Sequence, residues 1–222
     1  MIHTFLKAKH WQLFLIVFAL PMFIQMMFMN IMMMQMPQFS DGDANPMLMF
    51  NSVYEMMLNF SFIFSITMSV IILVLFGWYW SVCVGLQDKV PEHAKMNVKK
   101  FKIFYFIGLA YSLFFIGLMA FVMYNLPSLI GGLISMSALG TILSVVTLLH
   151  FFAAFCLLYC LYFAAKTIKT VELQRETTFS DFIGEFFMIW FFPIGVWILQ
   201  PKINELATTD FTEHEIDWLE ED

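Results

Sequence analysis

Charge is scarce in this chain. Only 13% of its 222 residues are Asp, Glu, Lys or Arg, where a soluble domain carries about 25%. The 29 residues from Leu58 to Leu86 hold no charged side chain, no His and no Pro. A run of that length is long enough, as a helix, to cross a hydrocarbon core of about 30 Å. Cysteine is also rare. Cys83, Cys156 and Cys160 all lie in or beside apolar runs, which speaks against a disulfide framework and for thiols that pack as small apolar groups. There is no basic face to bind nucleic acid. The motifs H-E-x-x-H, G-x-S-x-G, Walker A and G-x-G-x-x-G are all missing, as are paired intramembrane acids. Nothing points to catalysis or to a cofactor.

What the chain has instead is hydrophobic surface. Apolar residues make up 61% of it, with 28 Phe and 19 Met. Four runs have membrane-spanning length, at about 11–36, 58–86, 103–126 and 141–165. The first is too long for the h-region of a signal peptide and reads as an uncleaved span. Residues 47–57 are open between an interfacial helix and the first turns of a long second helix. A fifth apolar segment, 182–200, is interrupted by Pro193 and Gly195 and carries Glu185 near its start. It is either a fifth span or a re-entrant, broken helix. The expected fold is therefore an all-α polytopic helical bundle over residues 1–200, followed by an acidic tail, 201–222, with eight acids and one Lys.

Orientation follows from the basic residues. The N-terminus has two, the loop 87–102 has five and the loop 166–181 has three, while the loops after the first and third spans have none. The positive-inside rule then puts the N-terminus and both basic loops in the cytoplasm.

Candidate site residues are few. Met22, Met26, Met29, Met33 and Met36 step by four, three, four and three along one helix face. Thioether sulfur suits Cu(I), but flexible apolar filling is the expected role, since Met27, Met32 and Met34 lie off that face. Gln25, with Asn30 and Gln35, interrupts the first span and can hydrogen-bond between helices. His150 is the one ionisable group near the centre of a span. Such groups mark ion paths or make a neutral bond to a neighbouring helix, and the second is expected. Cys156 and Cys160 share a face that His150 does not, which argues against a metal site on that helix alone. Glu185 can snorkel, cap its helix or pair with a lysine. In the tail, Thr212 and Glu215 have capping-box spacing ahead of Trp218, which leaves the segment open between a short helix that could dock on a basic cytoplasmic partner and a solvated tail without fixed structure.

Two stretches, KAKHWQLFLIVF (residues 7–18) and FFMIWFFPIGVWILQPKIN (residues 186–204), resemble small uncharacterised inner-membrane proteins of Bacteroidota. The resemblance implies a bacterial cytoplasmic (inner) membrane location and no particular activity. The expected function is non-catalytic: a subunit or scaffold that associates, within the lipid bilayer, with other membrane proteins or with itself. The alternative is a small transporter or channel for protons or a soft metal ion such as copper.

Overall fold

The computed structural model describes residues 2–35, 45–131 and 135–209, and among these there are helices and no strand. The chain is an all-α bundle. Helices α1 (Ile2–Leu6) and α2 (His10–Phe14) lead through a π-helical turn (Leu15–Ala19) into α3 (Leu20–Gln35). Pro21 has no N–H to offer the carbonyl of Val17, and the turn ahead of it is wound in the wider π form.

Helix α4 (Pro46–Gly85) is 40 residues long, about 60 Å. The Asn45 side chain accepts from the Met47 N–H at 3.0 Å, and Pro46 sits in the first turn, where its missing N–H costs nothing. Residues 47–57 are thus the opening turns of one long helix. A 3₁₀ turn (Gln87–Lys89) leads on to α5 (Val98–Tyr124), capped by Asn97, and to the short α6 (Leu126–Ile130). Helix α7 (Met136–Leu173) starts at a Ser135 cap and ends at Gln174, which takes the left-handed conformation (φ 48°). Four stretches are long and apolar enough to cross a membrane: His10–Met34, Pro46–Lys89, Val98–Tyr124 and Gly140–Leu173. The protein is a multi-pass membrane protein.

The fifth apolar segment folds as a hairpin of α8 (Phe179–Trp190) and α9 (Phe192–Thr208). The break falls at Phe191, and Pro193 lies in the first turn of α9 rather than interrupting it. The twelve residues of α8 rise about 18 Å, too little to cross. Gln174 Nε2 donates to the Lys89 carbonyl at 3.1 Å, and Lys89 Nζ donates to the Thr209 carbonyl at 2.8 Å. The hairpin therefore starts and finishes at the same end of the bundle, the end that also holds Lys95, Lys166 and Lys169. Of the two readings open in the sequence, the geometry is that of the broken helix. Gly195 makes the close approach: a Cβ there would lie 1.8 Å from the Met188 carbonyl oxygen. Packing also runs past residue 200, where hydropathy drops, because Ile203 and Leu206 are buried.

Burial is uneven. At the basic end, Trp78, Cys83, Leu86, Phe101, Cys160, Ile168, Phe182, Val196 and Ile203 are all inaccessible. At the far end, none of the assigned residues in 22–34, 46–66, 109–124 and 137–152 is buried.

Candidate functional site

The polar groups of the chain converge at the basic end. Glu185, on the inner face of α8, is 5% exposed. Its Oε1 accepts from Lys169 Nζ of α7 at 3.2 Å and from Lys202 Nζ of α9 at 3.0 Å. Both ammonium groups also meet Oε2 of Glu172, as charge contacts rather than aligned hydrogen bonds. Two cations and two anions thus tie three helices together. Burial pushes the Glu185 carboxyl up, but the Lys202 ammonium, a backbone hydrogen bond and Lys169 outweigh it, and the group titrates below its ordinary value.

Beside this cluster, the Trp78 indole N–H donates to Gln200 Oε1 at 2.8 Å. Gln200 Nε2 reaches the carbonyls of Phe5 and Ala8 at 2.8 and 3.1 Å, and Asn204 also donates to Ala8. Phe5 is in the last turn of α1, where carbonyls run out of helical partners, and Ala8 lies between α1 and α2. Thr170 and Thr177 share a buried hydrogen bond of 2.8 Å. At the hairpin entrance, Asp181 accepts from the Thr178 N–H and hydroxyl and from Arg175. The Thr178 N–H, then Arg175, hold its carboxyl down at about 2. Apart from Glu172 Oε2, which the two ammonium groups meet as charges, each of these groups has a hydrogen-bond partner, and the arrangement is a clamp.

Of the residues singled out in sequence, only Glu185 belongs to this clamp. His150 lies at mid-span, 16 residues before Lys166. Its Nδ1 is 3.3 Å from the Tyr111 hydroxyl of α5, the neighbouring-helix bond expected of it. Below the pair is a cavity of about 160 Å³ lined by Ile72, Ser112, Ala153 and Leu157. Met22, Met26, Met29 and Met33 are 45–66% exposed on the open face of α3, and Met36 lies outside the described residues. No set of three or more His, Cys, Asp or Glu able to hold a metal is found among the described residues. Asn30 bonds back to the Met26 carbonyl of its own helix. Gln25 is different, because both polar atoms of its carboxamide are buried and neither has a partner among the described residues. Thr212, Glu215 and Trp218 lie outside the described residues.

Gln200 and Asn204 carry no signal of their own in the sequence, and Trp78, which by its place at the end of the second span reads as an interfacial aromatic, is instead fully buried. A buried indole N–H needs an acceptor, and Gln200 is the first amide at the end of an apolar segment. That was the available signal, but nothing in one sequence pairs positions 122 apart.

No family model matches the chain, and no match is found among curated proteins or solved structures.

Proposed function

We propose that this chain is a non-catalytic subunit of a bacterial inner-membrane assembly. Its N-terminus, basic loops and α8–α9 hairpin face the cytoplasm, and its far end is completed by helices of another membrane protein or of a second copy. The observation that carries the reading is the outer part of α7. Over residues 141–152 every position is exposed except Val146, which is half-buried. A helix lying against even one neighbour hides a stripe of its surface; three turns of α7 hide almost none. Among the described residues, Gly140 has nothing within 4 Å of where its Cβ would be, and neither has Gly117 on α5. Small residues at such positions let another backbone come close.

The test is native mass spectrometry of the protein extracted from its own membrane in mild detergent. A stoichiometric second polypeptide, or a defined homo-oligomer, is the expected result. A bare monomer under conditions that preserve other membrane complexes would overturn the reading. A variant in which Gly140→Leu covers the open face should lose the partner while its thermal midpoint as an isolated chain does not fall.

One observation favours the transporter alternative: His150 stands at mid-membrane depth over a cavity. If it carries protons or ions, His150→Ala abolishes flux in reconstituted vesicles; if its role is the bond to Tyr111, flux is absent in both proteins.

A further inference from the structure

The lysines at the basic end fall into two groups. Lys169 and Lys202 are neutralised by Glu172 and Glu185. Lys95, Lys100, Lys102 and Lys166 meet no carboxylate within 4.0 Å among the described residues, where every ion pair lies in the clamp or between Arg175 and Asp181. Three of these four are gathered at the seam between α5 and α7. Lys166 Nζ reaches the Lys95 carbonyl at 3.4 Å, bringing the end of α7 against the loop before α5. The Lys100 ammonium stands 5.1 Å from the centre of the Tyr159 ring, which stacks on Tyr162 one turn closer to Lys166. On the adjoining face, Lys102 lies 5.6 Å from the Trp80 ring. Rings hold these cations by their π faces without neutralising them.

We infer that this seam binds the headgroup of an anionic phospholipid from the leaflet at the basic end. The charges sit at the depth of the tyrosines and tryptophan that mark a membrane–water interface. The surface directly beneath them, toward the bilayer centre, is apolar: Phe104 packs edge-on against Phe155 at 5.8 Å, and Phe155 is 56% exposed. A phosphodiester held by Lys100 and Lys166 therefore leaves its acyl chains lying along Phe104 and Phe155. A free phosphate would use the lysines and leave the aromatic groove empty. Basic pockets between spans on the cytoplasmic side are a recognised way of holding anionic headgroups. The inference rests on the multi-pass fold and the burial pattern, and it is independent of the protein partner proposed above.

The experiment is a lipid titration of the full chain in detergent, read by native mass spectrometry. Phosphatidylglycerol should add as one or two retained molecules where phosphatidylcholine does not. Lys100→Gln and Lys166→Gln should each weaken that binding about fivefold, with the thermal midpoint unchanged, while Lys7→Gln, a change to an exposed lysine of the N-terminal segment, leaves binding as it was. If Lys166→Gln fails to fold, Lys100→Gln decides alone. Equal retention of phosphatidylcholine, or an equal loss in Lys7→Gln, would overturn the site. Displacement of the lipid by millimolar inorganic phosphate would assign the lysines to a soluble anion. Lipid binding seen only after the chain is cut back to Thr209 would assign them to the acidic tail.

Discussion

The two halves of this bundle are written in nearly the same alphabet and behave differently. Helix α7 runs through both. In its inner half, Ala153, Cys156, Cys160, Ala164, Thr167 and Val171 step by threes and fours down one face, and all six are buried. In its outer half, Ser137, Gly140, Ser144 and Thr147 step the same way, and all four are exposed. At 3.6 residues per turn the second face is turned by about half a circle from the first, so it looks away from its own bundle. Small residues favour close helix packing wherever a partner is present. The difference between the halves is thus the presence of the partner, not the grammar of the helix. Hydrogen bonds follow suit. Among the described residues, only Tyr54 to the Tyr124 carbonyl and Tyr111 to His150 join different elements in the far half, whereas the inner half has the whole clamp.

The sharpest way to break this comparison is a pair of glycines. Gly195→Ala drives a methyl group into the Met188 carbonyl and should destabilise the hairpin by about 3 kcal/mol, the upper end for overpacking. Gly140→Ala meets open space and should stabilise the isolated protein by about 1 kcal/mol, through helix propensity alone. Thermal midpoints of the two variants in detergent should therefore move in opposite directions. A loss at Gly140 matching that at Gly195 would mean the outer half is packed within the single chain after all.

The clamp supplies the next largest effect. Glu185→Gln leaves Lys169 and Lys202 with only Glu172 between them. Breaking a fully buried pair costs about 3–5 kcal/mol; with both lysines partly exposed, 20% and 24%, about 2 kcal/mol is expected. Retained stability in chemical unfolding of Glu185→Gln would show that the clamp contributes little beyond its shape.

Gln25 tests the far half from the other side. An unpartnered buried amide costs about 1 kcal/mol or more, so Gln25→Leu should raise the thermal midpoint of the isolated chain. If the amide is kept for another chain, the same substitution should reduce recovery of the partner from the membrane. A stabilised variant that assembles as before would make Gln25 a tolerated flaw.

Much of the fold was legible because the membrane is a severe constraint: run length and missing charge gave the four spans, and Lys and Arg marked one end. Helix length was not legible. Residues 47–57 read as ambiguous because hydropathy registers lipid contact and says nothing of where Asn45 and Pro46 begin a helix. The hairpin was half legible, since Pro193 and Gly195 announced a break, but its position at Phe191 depends on the approach of two backbones. Of the clamp, only Glu185 stood out, because one acid in an apolar run is conspicuous while Lys169, Lys202 and Gln200 sit at run ends where polar residues are ordinary. Which half packs could not be read at all. Lipid tails and leucine side chains are alike to an apolar face, so composition is silent on which of the two covers it.

The smallest expected effect concerns acid, and it separates the hairpin entrance from the rest. Asp181 is solvent-facing, yet its carboxyl is lowered from 3.8 to about 2 by the Thr178 N–H, then by Arg175 and the Thr178 hydroxyl. A carboxyl held down in the folded state binds its proton more readily when unfolded, so its contribution is complete above about pH 4 and is lost as pH falls toward 2. Asp181→Asn removes that contribution, so it should cost a small, solvent-screened part of the stability at neutral pH and flatten the acid limb between about pH 4 and 2, where the two proteins converge. Glu185→Gln should cost more than Asp181→Asn at neutral pH, because it leaves two lysines with only Glu172 between them. If Asp181→Asn were as damaging at pH 7 as Glu185→Gln, the capping box, and not the three-helix clamp, would be what closes the inner half.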